Sequence, residues 1–178
     1  MEYKNIIRDN LENRERLLNI IINYLQQQMN NEYFKKLDPG FKSKQISGSI
    51  WAWTERNGKF GCELWSEEAL KIYEKYDGKF SKMKKYLTHE HIIPRNIVEK
   101  NLLSCDGSLE SIKSIILKTQ AAVITREEDK LVSGKLRSRM PEQLKNKKIL
   151  DYTKEDIFAR YSGKGIRLIN INTLEQVI

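Results

Sequence analysis

The sequence predicts an α+β fold: a long N-terminal helix, a β-hairpin, then a strand, a helical insertion, a second strand and a closing helix. Three observations predict it. Over residues 4–37, apolar side chains recur in steps of three or four, with no glycine or proline among them. Past residue 40 the pattern turns to tryptophan and isoleucine around an Asn57-Gly58 pair. From residue 85 onward, short β-rich runs alternate with segments that open on helix-capping residues.

The chain has 178 residues, enough for one core-forming domain over residues 41–178 with an N-terminal helical segment over 1–40. Lys and Arg number 32 against 24 Asp and Glu, a net charge of +8 and a pI near 9.4. Such a balance suits a nucleic-acid partner. Cys62 and Cys105 are the only cysteines. Two isolated thiols suit a reducing compartment, and without a Cys-x-x-Cys pair no cysteine-based structural zinc site can form. No apolar run approaches 18 residues and the first residues are polar. The expectation is a cytoplasmic protein without a membrane span.

Taking the elements in order, Ile7, Leu11, Leu18, Ile21, Ile22, Leu25, Met29, Phe34 and Leu37 mark the first helix. Asn30-Asn31 can divide it, and Asp38-Pro39-Gly40 ends it. Its apolar stripe suits packing on a core or pairing with a second copy in a homodimer. Ile46, Ile50, Trp51, Trp53, Phe60, Leu64 and Trp65 surround Asn57-Gly58, predicting strands over 47–55 and 59–64. Ser66 caps a helix that begins with Glu67-Glu68 and ends at Asp77-Gly78. A β-rich run over 86–93 stops at Pro94. Short helices follow over 97–103 and, capped by Ser108, over 109–118. Ala121-Ala122-Val123-Ile124 reads as a buried strand, and Thr125 with Glu128 forms a capping box that opens the closing helix. Thr153 caps a helix containing Ile157 and Phe158, and residues 166–171 alternate as a last strand. Gly163-Lys164-Gly165 lacks the context of a nucleotide loop.

Chemistry concentrates in Thr88-His89-Glu90-His91-Ile92-Ile93-Pro94-Arg95, which holds both histidines of the chain. In an extended segment alternate residues share a face, so His89 and His91 point one way and Glu90 the other unless a bulge intervenes. A histidine can take a proton from water near neutral pH, and a carboxylate suits Mg²⁺ or Mn²⁺. Base and hard metal together are a minimal kit for cutting a phosphodiester.

Glu90-His91-Ile92-Ile93-Pro94 resembles the first motif of the HNH endonucleases, members of the ββα-metal nuclease superfamily. In that motif an acidic residue, a general-base histidine, two mostly apolar residues and a proline often run together. The resemblance covers about five residues clearly and residues 85–140 more weakly, and it does not reach the N-terminal third. It implies a zinc-free ββα centre with helical insertions that hydrolyses DNA, with RNA left open. It implies His91 as general base, Glu90 and Asp129 as ligands of Mg²⁺ or Mn²⁺, and His89 as a supporting ligand or phosphate contact. Arg95 would bind the scissile or an adjacent phosphate. In that family the closing helix commonly carries Asn or His, so Asp129 departs from the common pattern.

Lys82, Lys84 and Lys85 precede the motif, and Lys130, Lys135, Arg137 and Arg139 begin the densest basic stretch, over 130–148. These are the expected nucleic-acid contacts, with the second group dominant. Two other classes stand beside the nuclease. One is a non-catalytic nucleic-acid-binding or regulatory protein on a degenerate HNH fold. The other is an interaction module that works through helix 4–37.

Overall fold

Asn31 divides the N-terminal helical region in two. In the computed structural model, which describes residues 3, 6, 11–134 and 136–178, α1 (Leu11–Asn30) stops at it and α2 (Glu32–Lys36) starts from it. The Asn31 side chain accepts from the backbone N–H groups of Tyr33 and Phe34, the usual work of an N-cap. Apart from Ile6, the expected helical start over residues 4–10 lies outside the described residues. The α1 stripe Leu18, Ile21, Ile22 and Leu25 is buried against α7 (Leu109–Lys118), in one core with Ile112, Ile115 and Ile116.

Residues 47–55 and 59–64 do not form the expected hairpin. Pro39–Thr54 is a helix, α3, and the chain turns through 57–61 into β1 (Leu64–Ser66). Asp38-Pro39-Gly40 ends one helix and also starts the next: Asp38 accepts from the Gly40 N–H as N-cap and Pro39 takes the first helical position. Ile46, Ile50 and Trp53 then fall in steps of four and three, and all three are buried. That periodicity outweighs the β preference of the tryptophans. Asn57-Gly58 does make a turn, with Gly58 at φ 82°. Gly61 closes it, since a Cβ there would lie 2.3 Å from both Cβ and O of Asn57.

The later elements follow the expected order. Ser66 caps α4 (Glu67–Lys75), and α5 (Phe80–Met83) leads into β2 (Leu87–His91). Pro94 precedes α6 (Arg95–Ser104), Ser108 caps α7, and β3 (Ala121–Thr125) runs directly into α8 (Arg126–Ser133). Thr125 and Glu128 form the expected capping box, and Glu128 also accepts from Ser66 Oγ at 2.5 Å, tying α8 to β1. Thr153 caps α9 (Lys154–Ile157), with a second capping box to Asp156. β4 (Leu168–Asn170) and β5 (Glu175–Gln176) end the chain.

The five strands make one mixed sheet in the order β2-β3-β1-β4-β5. β3 is an inner strand, buried at every residue, antiparallel to β2 and parallel to β1. Its Ala121 and Val123 join a core with Trp65, Ala69, Leu70 and Met83 on one face. Ala122 and Ile124 join the larger core built from α1, α3, α6, α7 and α8 on the other. β2 is an edge strand, and α8 packs on both β2 and β3. None of the described helices is long and apolar enough to cross a membrane.

Candidate active site

β2 pairs with β3 in unbroken register, His89 opposite Val123, Glu90 opposite Ala122 and His91 opposite Ala121. There is no bulge, so the side chains alternate as an extended segment requires. The two histidines share one face and Glu90 takes the other.

On the Glu90 face, α8 brings Asp129 close enough for its charge to raise the Glu90 pKa. Burial is the larger cause of that rise, and Arg160 opposes it. Arg160 is fully buried. Its Nη1 lies 2.8 Å from Glu90 Oε1 and donates at 2.8 Å to the carbonyl of His91. One guanidinium therefore holds both the carboxylate and the backbone of the motif. Its Nε and Nη2, and the hydroxyl of buried Tyr161 beside it, have no hydrogen-bond partner among the described residues. Asp129 accepts from Ser133 Oγ at 2.6 Å across one helical turn. Exposed Arg137, just past α8, also acts electrostatically on Glu90.

On the histidine face, α3 supplies the wall. The Trp51 ring lies 4.7 Å from the His91 ring, edge-on, and 5.7 Å from that of His89. His91 Nε2 is 3.2 Å from Thr54 Oγ1, which donates to the Ile50 carbonyl. With the hydroxyl proton so placed, Nε2 carries the ring proton and Nδ1 is the basic nitrogen. Burial, and then the nearby His89, Arg95 and Arg160, lower the His91 pKa to about 3. His89 Nδ1 lies 3.0 Å from the Lys59 carbonyl, which can only accept, so Nδ1 bears the proton. Its Nε2 is a buried acceptor without a partner among the described residues. Burial is also the main cause lowering the His89 pKa. Behind it, Cys62 is buried and its thiol is pushed up to about 12, a packing residue rather than a thiolate. Arg95 stacks over Trp51 at 5.3 Å and pairs with Glu99 at 3.1 Å, placing it with the histidines.

The expected site residues thus fall into two sets. Glu90, Asp129 and Arg137 gather on one face, and His89, His91 and Arg95 on the other, so His89 does not stand with the two carboxylates. Lys130 and Arg139 are exposed, and Lys135 lies outside the described residues. Lys82, Lys84 and Lys85 are exposed at the far end of β2, before Leu87, with Lys85 over the Tyr86 ring at 4.8 Å. Arg160 was not among the residues expected from sequence. The signal was a lone arginine between Phe158 and Tyr161, a cation in an apolar run that needs a buried carboxylate.

Among the described residues, no cluster of three or more His, Cys, Asp or Glu could hold a metal ion. Glu90 and Asp129 are two carboxylates on one face, and Mg²⁺ or Mn²⁺ can be held by one or two carboxylates with water and substrate phosphate completing the shell. Comparison with known proteins gives no match: no family model fits the chain, and no curated protein and no solved structure matches it.

Proposed function

We propose that the chain is a metal-dependent endonuclease that hydrolyses DNA phosphodiester bonds. One observation supports this most: strand, helical insertion, strand and helix bring Asp129 of α8 to the face of the edge strand that carries Glu90, beside His91 in the same strand. Mg²⁺ or Mn²⁺ would be held by Glu90 and Asp129, and when bound would steady charge on the phosphate and the leaving oxygen. Because β2 is at the sheet edge, a phosphate lying along it can meet groups from both faces. His91 keeps an unprotonated ring, and an incoming phosphate raises its pKa from about 3 toward the range useful to a general base. Arg95, stacked over Trp51 beside that ring, would hold the phosphate.

Two observations favour a second reading, a nucleic-acid-binding protein that does not cut. Arg160 already neutralises Glu90, and His91 is packed against Trp51 and Thr54. Nicking of supercoiled plasmid in Mn²⁺ separates the two. The nuclease reading predicts nicking that EDTA abolishes. It also predicts that His91→Ala slows nicking about 10²–10⁴-fold in a variant that still folds and binds DNA. Retained DNA binding without nicking by the wild-type chain would establish the second reading.

A further inference from the structure

Beyond α8 the chain passes beside α6, and the two line an open cavity of about 540 Å³. Its volume lies in the range of small-ligand sites. α6 supplies Asn96 and Lys100, and the crossing segment supplies Arg139, Met140, Lys148 and Tyr152. Met140 and Tyr152 are buried and form an apolar floor, while Lys100, Arg139 and Lys148 are exposed at the rim.

The charges at this rim are not all balanced. Lys145 pairs with Glu142 at 2.9 Å and Lys147 with Asp156 at 2.5 Å. Lys100, Arg139 and Lys148 make no ion pair among the described residues. Three cations above an apolar, partly aromatic floor match a ligand with negative charge at one end and a flat ring at the other. Asn96 adds a polar handle. Its Nδ2 donates to the Ser138 carbonyl at 3.0 Å, which fixes the amide and leaves Oδ1 to accept from a ligand. Asn101, on the same helix, donates to the Ile97 carbonyl and accepts from the Ile149 N–H.

Position relates the cavity to the motif. Asn96, which lines the cavity, directly follows Arg95, which stacks over Trp51 beside His91. Adjacent Cα atoms lie about 3.8 Å apart. A strand whose phosphate lies at Arg95 is therefore within reach of the cavity with a neighbouring nucleotide. A paired base cannot enter such a space without leaving its stack.

We infer that this cavity holds one unpaired nucleotide of a nucleic-acid strand, with its base on Met140 and Tyr152 and its phosphate on Lys100, Arg139 and Lys148. The inference rests on the reading of this chain as a nucleic-acid enzyme. It assigns to that enzyme a preference for single-stranded or opened substrate.

Fluorescence anisotropy with a labelled single-stranded 12-mer and the blunt duplex of the same sequence tests it. Ser104→Trp fills the cavity from an exposed position on α6 without altering charge. The expected result is that the wild-type chain binds the single strand at least tenfold more tightly than the duplex. Ser104→Trp removes that preference and leaves duplex affinity within twofold. Combined Lys100→Ala, Arg139→Ala and Lys148→Ala weakens the single strand and reduces its salt dependence. Equal affinity for the two substrates, or a preference that Ser104→Trp leaves intact, overturns the inference. If nicking in Mn²⁺ persists under that result, the nuclease reading stands without the cavity. If Ser104→Trp removes the preference but the wild-type chain never nicks, the cavity stands without the nuclease reading.

Discussion

The two faces of β2 carry neighbouring residues into opposite electrostatic settings. On one face, Glu90 keeps a partner of opposite charge in Arg160 and a like charge in Asp129. On the other, His89 and His91 are buried against Trp51, Thr54 and the Lys59 carbonyl, and burial drives both toward the neutral form. One residue of strand separates a site that stores charge from one that excludes it. The difference teaches that a short motif fixes which groups are present, while the elements packed on each face fix their protonation.

The largest effect is expected from breaking the charged side. Arg160→Met leaves Glu90 buried beside Asp129 without its cation. It is expected to destabilise the fold by about 3–5 kcal/mol, measured by urea denaturation. Adding Glu90→Gln to Arg160→Met should restore a large part of that loss, because the stranded charge is then gone. A double variant no more stable than Arg160→Met would mean that Arg160 acts by packing alone.

On the histidine side the expected effect depends on pH. The folded-state pKa of His91 is lowered from 6.5 to about 3, so the unfolded chain binds the proton first. The stability this group contributes is complete above about pH 6.5 and is lost as pH falls toward 3. Glu90, raised by burial, works in the opposite direction, so the comparison must be with a variant and not with the wild-type profile alone. Between pH 7 and 4, wild-type stability should fall by roughly 2–4 kcal/mol more than that of His91→Gln. Parallel profiles would mean that His91 is solvated and not held neutral.

A smaller effect checks the helix that carries Asp129. Thr125→Ala removes the cap hydrogen bond to Glu128 N–H and should cost about 1 kcal/mol. Mn²⁺ affinity should fall with it if the first turn of α8 positions Asp129, and stay unchanged if Asp129 is no ligand.

Much of this architecture was legible in the chain, for local reasons. Thr125 and Glu128 announced α8, Ser66 and Ser108 announced α4 and α7, and the alternation through His89, Glu90 and His91 already divided the two faces. Residues 41–65 depart from the expected hairpin because two signals conflict there. Asp38-Pro39-Gly40 serves both as a stop and as a start, and Asn57-Gly58 is a turn without being a hairpin. The same conflict hides the wall of the histidine face, since Trp51 and Thr54 reach His91 from helix α3. Arg160 was hidden for a different reason. It lies 70 residues after Glu90, and no local pattern specifies a contact made by the tertiary fold.

The division of the motif between two faces is tested most directly by Mn²⁺ binding, followed by the loss of the free-ion electron paramagnetic resonance signal. It should be measured for the wild-type chain, Glu90→Gln, Asp129→Asn and His89→Ala, each with its melting temperature. Loss of binding in Glu90→Gln and Asp129→Asn, with His89→Ala binding as the wild type does, is the predicted result. Binding that survives Asp129→Asn and disappears in folded His89→Ala would place the metal on the histidine face and contradict the account.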